Sequence, residues 1–106
     1  MSPVPFTPEP TRDEVDAMRG AMLLEFGINE CPHCQAVQPL VADALKQHPH
    51  VRHLRIEDGK GRRLGRSFAV KLWPALIFMQ EGKEVARVLR ATTQAEVDAG
   101  FNKFSE

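Results

Sequence analysis

Cys31 and Cys34 are the only cysteines in this 106-residue chain, and they stand two residues apart around Pro32 and His33. That spacing lets a disulfide close within one turn of helix. It also lets one sulfur attack a partner disulfide while the other waits to displace it. Two thiolates at this spacing equally supply half of a zinc site. The pair alone leaves redox, metal and incidental readings open, and its surroundings must decide between them.

The pair lies between an apolar run, Ala21-Met22-Leu23-Leu24-Glu25-Phe26, and a stripe of Val37, Leu40, Val41, Ala44 and Leu45. The run has strand length and little alternation, which predicts a strand covered on both faces. Glu25 is its single carboxylate and breaks the pattern. The three- and four-residue spacing of the stripe predicts a helix, kinked by Pro39 rather than ended by it. Cys31 is thereby expected at a helix N-terminus, where unpaired amides and a positive partial charge stabilise a thiolate. Cys34, one turn deeper, is expected to be buried and protonated, so that Cys31 attacks and Cys34 resolves. Pro32 suits the first helical turn, where its missing amide matters little. His33, as a donor or cation beside Cys31, is expected to favour thiolate and make the disulfide more oxidising.

The rest of the chain must build a frame for this turn. Residues 1–10, with Pro3, Pro5, Pro8 and Pro10, predict an extended lead-in. Thr11 and Glu14 form a capping-box pattern opening a short helix closed by Gly20. Val51 to Glu57 reads as a strand with Leu54 and Ile56 inward, followed by a short helix carrying Leu64 and Phe68. Ala75 to Met79 is a second buried strand, turned by Gly82 into a hairpin with Lys83 to Leu89. Thr93 and Glu96 open a last helix with Val97, Phe101 and Phe104 inward. The order α-β-α-β-α-β-β-α predicts one α/β domain over residues 11–106. Its mixed sheet has four strands, or five with one near Phe6, and helices on both faces.

Lys and Arg total 14, as do Asp and Glu, a balance that predicts neither nucleic acid nor an anionic membrane as partner. Arg52, Arg55, Lys60, Arg62, Arg63 and Arg66 make a basic middle, read as a solvated rim. No apolar run approaches the roughly 20 residues of a membrane span. The start has no secretory-leader pattern, and two cysteines are few for a stapled secreted domain, so the cytoplasm is the expected compartment.

Further residues in order around the pair resemble the thioredoxin family across residues 11–104. Glu25 lies six before Cys31, Pro39 five after Cys34, and Trp73-Pro74 introduces the second buried strand, ahead of the Gly82 hairpin and closing helix. The resemblance implies a thioredoxin-like fold and thiol–disulfide exchange with protein substrates through a Cys31 mixed disulfide. It implies a monomer with no bound cofactor, recharged by a thioredoxin-reductase-type or glutathione donor. It makes Glu25 the buried acid that accepts the Cys34 proton, with His53 where the family often carries a lysine. It makes Trp73-Pro74 a cis bond whose preceding backbone pairs with substrate.

Departures from the family pattern are equally specific. Asn29-Glu30 replaces the usual tryptophan before the first cysteine, and Glu30 places a negative charge that opposes thiolate formation. Pro32-His33 replaces Gly-Pro and is the pair typical of periplasmic disulfide oxidases, whose helical insertion this chain has no room for. Trp73 stands in place of a small or β-branched residue, and Arg90 near the place of a groove-lining glycine. Two rival readings stay open. One is a zinc or copper thiolate site completed by His33, His48, His50 or His53; the other is a thioredoxin-like binding or chaperone module without turnover.

Overall fold

Successive side chains of β1 (Ala21–Gly27) enter two separate apolar layers, and this alternation organises the molecule. Met22, Leu24 and Phe26 join Val15, Leu54, Ile56, Leu64, Phe68, Ala75, Ile77 and Met79 on one face. Leu23 joins Val37, Val41, Ala44, Val51, Leu76, Phe78, Ala91, Val97 and Phe101 on the other. The computed structural model describes residues 5–105. Met1 to Val4, the first part of the expected lead-in, and Glu106 lie outside the described residues.

The remaining elements are α1 (Arg12–Ala17), α2 (Pro32–Gln47), β2 (Arg52–Glu57), α3 (Arg63–Ser67), β3 (Ala75–Gln80), β4 (Lys83–Leu89) and α4 (Gln94–Phe101). The sheet runs β2-β1-β3-β4, with β1 and β2 parallel across the α2 crossover and the other two pairs antiparallel. Residues of α1 and α3 line the first layer, and residues of α2 and α4 the second. The expected mixed sheet with helices on both faces is therefore the fold.

Both predicted capping boxes form, Thr11 with Glu14 and Thr93 with Glu96. Pro39 lies within a single α2, as its stripe required. The β3–β4 turn is Glu81-Gly82, both at positive φ, the two-residue geometry that matches strand twist. No fifth strand forms among the described residues near Phe6. Thr7 N–H donates to the Arg55 carbonyl at the outer edge of β2 (2.7 Å), and the flanking Pro5 and Pro8 have no amide with which to extend a ladder. The lead-in is nonetheless anchored, since Glu9 Oε2 accepts from Leu64 N–H at the start of α3 (2.8 Å).

Candidate active site

The turn from β1 into α2 sets the two sulfurs in different environments. Cys31 is the N-cap of α2, with extended backbone, and its Sγ accepts the Cys34 N–H at 3.2 Å. Partial burial works against its ionisation. The Cys34 thiol, the backbone N–H groups of Cys34 and His33, and the charge of Arg90 outweigh that and hold the Cys31 thiol below its usual range. Cys34 is only 1% exposed. Burial first, then its hydrogen bond to Cys31 and the negative charges of Cys31 and Glu25, push its thiol up to about 12 against a smaller opposing pull from the Ile28 amide. Both are free thiols.

Beneath α2, the Leu23, Glu25 and Gly27 row of β1 faces the helix. A Cβ at Gly27 would lie 2.5 Å from Cys34 Sγ, so only glycine lets the resolving sulfur sit against the strand. Glu25 is 2% exposed in a central strand, not at a sheet edge. Parallel register sets Leu23 beside His53 and Glu25 beside Arg55. Glu25 Oε1 lies 2.8 Å from His53 Nε2, and Oε2 lies 3.7 Å from Arg55 Nε. Gln38, one helical turn beyond Cys34, donates its amide both to Glu25 Oε2 and to the Cys34 carbonyl (3.3 Å to the latter). Arg55, itself 4% exposed, donates to Asn29 Oδ1 at 3.0 Å and lies 4.2 Å beneath the Phe6 ring. The buried carboxylate is thus met by groups of opposite charge or hydrogen-bonding donors, as burial of a charge requires.

Trp73-Pro74 is a cis peptide bond at the entry to β3. The Trp73 indole N–H donates to Asp58 Oδ2 at 2.8 Å, and Asp58 N–H donates to the Gly27 carbonyl at 3.0 Å. Asp58 fits because Gly65 has no side chain: a Cβ there would lie 2.1 Å from its Oδ1. On the opposite strand end, Arg90 N–H donates to the Pro74 carbonyl (2.8 Å) and Arg90 Nε to the Trp73 carbonyl (2.9 Å). Through Arg90 the cis-proline segment is joined electrostatically to Cys31.

A family model for Thioredoxin matches residues 3–103. The chain belongs to the thioredoxin family. It is 30% identical over 70 residues to Thioredoxin H-type 1 of Nicotiana tabacum, covering 66% of this chain and 56% of that protein. A second relative, Thioredoxin H-type of Ricinus communis, is 26% identical over 73 residues, which span 69% of this chain and 62% of that protein. The chain thus spans about three fifths of the length of these curated relatives. Its backbone superposes on thioredoxin 2 from Pseudomonas aeruginosa PAO1 in its reduced form with a TM-score of 0.80 and 51% identity, over 89% of this chain and 87% of that one. Mitochondrial thioredoxin 3 of Saccharomyces cerevisiae in its oxidized form shares the fold at a TM-score of 0.76 with 14% identity, covering 88% and 86% of the two chains.

Against this frame, Cys31, Pro32 and Cys34 stand together at the start of α2, and Glu25 lies in β1 beneath that helix, bonded to Gln38 and paired with His53. His33 differs from expectation: its side chain is exposed, and its backbone amide is what acts on Cys31. The solvated basic rim is corrected at Arg55, which is buried beside Glu25. Arg55 lies on the face of β2 opposite Leu54 and Ile56, the residues read as inward, and there it meets Glu25 of β1. Gln38, Asn29, Gly27 and Asp58 are the other residues sequence reasoning missed. Gln38 alone had a local signal, lying one turn beyond Cys34 on the helix that covers β1. Among the described residues, no group of three or more His, Cys, Asp or Glu is placed to hold a metal ion. His48 caps the far end of α2 and stacks on Phe101 at 5.0 Å.

Proposed function

We propose that this chain is a thiol–disulfide oxidoreductase acting on protein disulfides, with Cys31 as nucleophile and Cys34 as resolving thiol. The observation that carries the reading is the opposed treatment of the two sulfurs. Cys31 is held towards thiolate at a helix start, while Cys34 is held protonated against Gly27, on the face of β1 that carries Glu25.

In the reducing direction the Cys31 thiolate attacks one sulfur of the substrate disulfide. The substrate S–S bond breaks, a Cys31–substrate disulfide forms, and the departing thiolate takes a proton from solvent. Cys34 then gives up its proton towards Glu25, directly or through water, and attacks Cys31 Sγ. The Cys31–Cys34 bond forms and the second substrate thiolate leaves, so two electrons pass from the cysteine pair to the substrate. His53, 2.8 Å from Glu25 and 11% exposed at its side chain, gives that proton a route outward. A dithiol or thiol donor of the thioredoxin-reductase or glutathione class returns the electrons. The reading takes a cytoplasmic monomer with no bound cofactor as its setting.

Net direction follows from potential. Pro32-His33 raises it and Glu30 lowers it, which puts it between about −270 mV, the thioredoxin value, and about −120 mV, that of the periplasmic oxidase. Equilibration with glutathione measures it, and a potential below thioredoxin's would overturn the assignment to Pro32-His33. Insulin reduction should vanish in Cys31→Ser, and Cys34→Ser should accumulate covalent adducts with substrate. Reduction that survived Cys31→Ser would remove the assigned nucleophile.

A further inference from the structure

We infer that Arg90 selects disulfide substrates carrying a carboxylate side chain beside the reacting cysteine. The inference rests on the exchange reaction proposed above. Arg90 is held at φ +51, a left-handed backbone that disfavours any residue with a β-carbon. Glycine would relieve that conformation, yet an arginine stands there. Its main-chain N–H bonds Pro74 and its Nε bonds the Trp73 carbonyl at 2.9 Å, which fixes the guanidinium over the peptide that precedes the cis-proline. Two consequences follow for an incoming chain.

The Trp73 carbonyl is already occupied by Arg90, so a substrate segment lying there meets a guanidinium edge instead of a bare backbone acceptor. The terminal nitrogens of Arg90 bond no carboxylate among the described residues, although the side chain is exposed. They therefore present unneutralised donors in the planar fork that suits a carboxylate. Arg90 also acts electrostatically on Cys31, so its charge reaches the reacting sulfur. Leu72 and Leu89 are two of the exposed large apolar side chains, two residues before Pro74 and one before Arg90 in sequence. Glu30, exposed and next to Cys31 in sequence, adds a negative charge that works against an acidic substrate side chain, so the preference depends on Arg90.

The test uses three peptide disulfides identical except for Asp, Asn or Lys next to the cysteine, reduced by the full chain at low ionic strength. Wild type should reduce the Asp peptide about fivefold faster in kcat/KM than the Lys peptide, the upper range for an exposed ion pair. Added salt should shrink that ratio. Arg90→Lys should keep the order, and Arg90→Gln should flatten it, since both variants retain a β-carbon at the same backbone and differ in charge. Equal rates for all three peptides in wild type, or an unchanged order in Arg90→Gln, would overturn the inference and leave the exchange reaction standing. Failure of wild type to reduce any peptide would remove the exchange reaction itself. Oxidised glutathione is run beside the peptides as a second carboxylate source. An Arg90 effect confined to it would overturn the assignment to peptides.

Discussion

At Gly27 a single missing methyl decides whether Cys34 can lie against β1. Gly27→Ala places a carbon 2.5 Å from Cys34 Sγ, so either the strand end or the first turn of α2 must shift. Overpacking of this kind costs about 1–3 kcal/mol, read by chemical denaturation of the reduced protein, and the resolving step should slow with it. The carboxylate beneath behaves differently. Arg55→Met leaves Glu25 buried with His53 and Gln38 but without its guanidinium, and should destabilise the fold by about 3 kcal/mol, the low end for breaking a buried pair. Glu25→Gln should slow adduct resolution while leaving the first attack by Cys31 intact, which rapid-quench trapping separates. At this scale the chain itself disclosed the two cysteines and the odd carboxylate. Asn29 was hidden because its role arises only when the β1–α2 turn closes on Arg55, and Gln38 showed no more than its place one turn beyond Cys34. For His33, the backbone amide rather than the exposed imidazole is the part of the residue seen acting on Cys31.

Among the elements, α4 depends on a close approach comparable to that of Cys34. Gly100 lies against Phe78, whose ring would be 2.2 Å from an added Cβ, and Phe78, Phe101 and Phe104 form edge-to-face contacts around it. Gly100→Ala should therefore destabilise by about 1–3 kcal/mol despite the helix propensity that alanine adds. A drop in thermal midpoint checks this; a rise would show that α4 can slide. Capping boxes, the buried strands and the Glu81-Gly82 hairpin were all legible, since each depends on neighbours within a few residues. The lead-in was only half legible. Its prolines foretold extended chain, but the strand allowed for near Phe6 did not form, and its docking on β2 and α3 through Thr7 and Glu9 is a matter of distant partners.

For the molecule as a whole, the two thiols make stability depend on pH in opposite senses. Cys34 is raised in the fold, so its contribution is complete below the unfolded thiol value of about 8.5 and is lost as pH rises through about 12. Cys31 is lowered, so its contribution is present above the unfolded value and is lost as pH falls through the folded one. Reduced protein should accordingly weaken above about pH 8.5 relative to Cys34→Ser, in urea titrations across that range. No such difference would mean that Cys34 ionises in the fold as freely as outside it.

Trp73 is the chain's one tryptophan, and there is no tyrosine. Near-ultraviolet emission of this protein therefore comes from a single indole, hydrogen-bonded to Asp58 and adjoining the peptide that Arg90 grips. Fluorescence will track the turn that leads into β3, whereas far-ultraviolet dichroism averages over every helix and strand. Followed together through a denaturant series, the two signals ask whether that turn loosens before the frame does. Coincident curves would mark one cooperative unit, and an earlier optical change at Trp73 would mark a reactive edge that opens by itself.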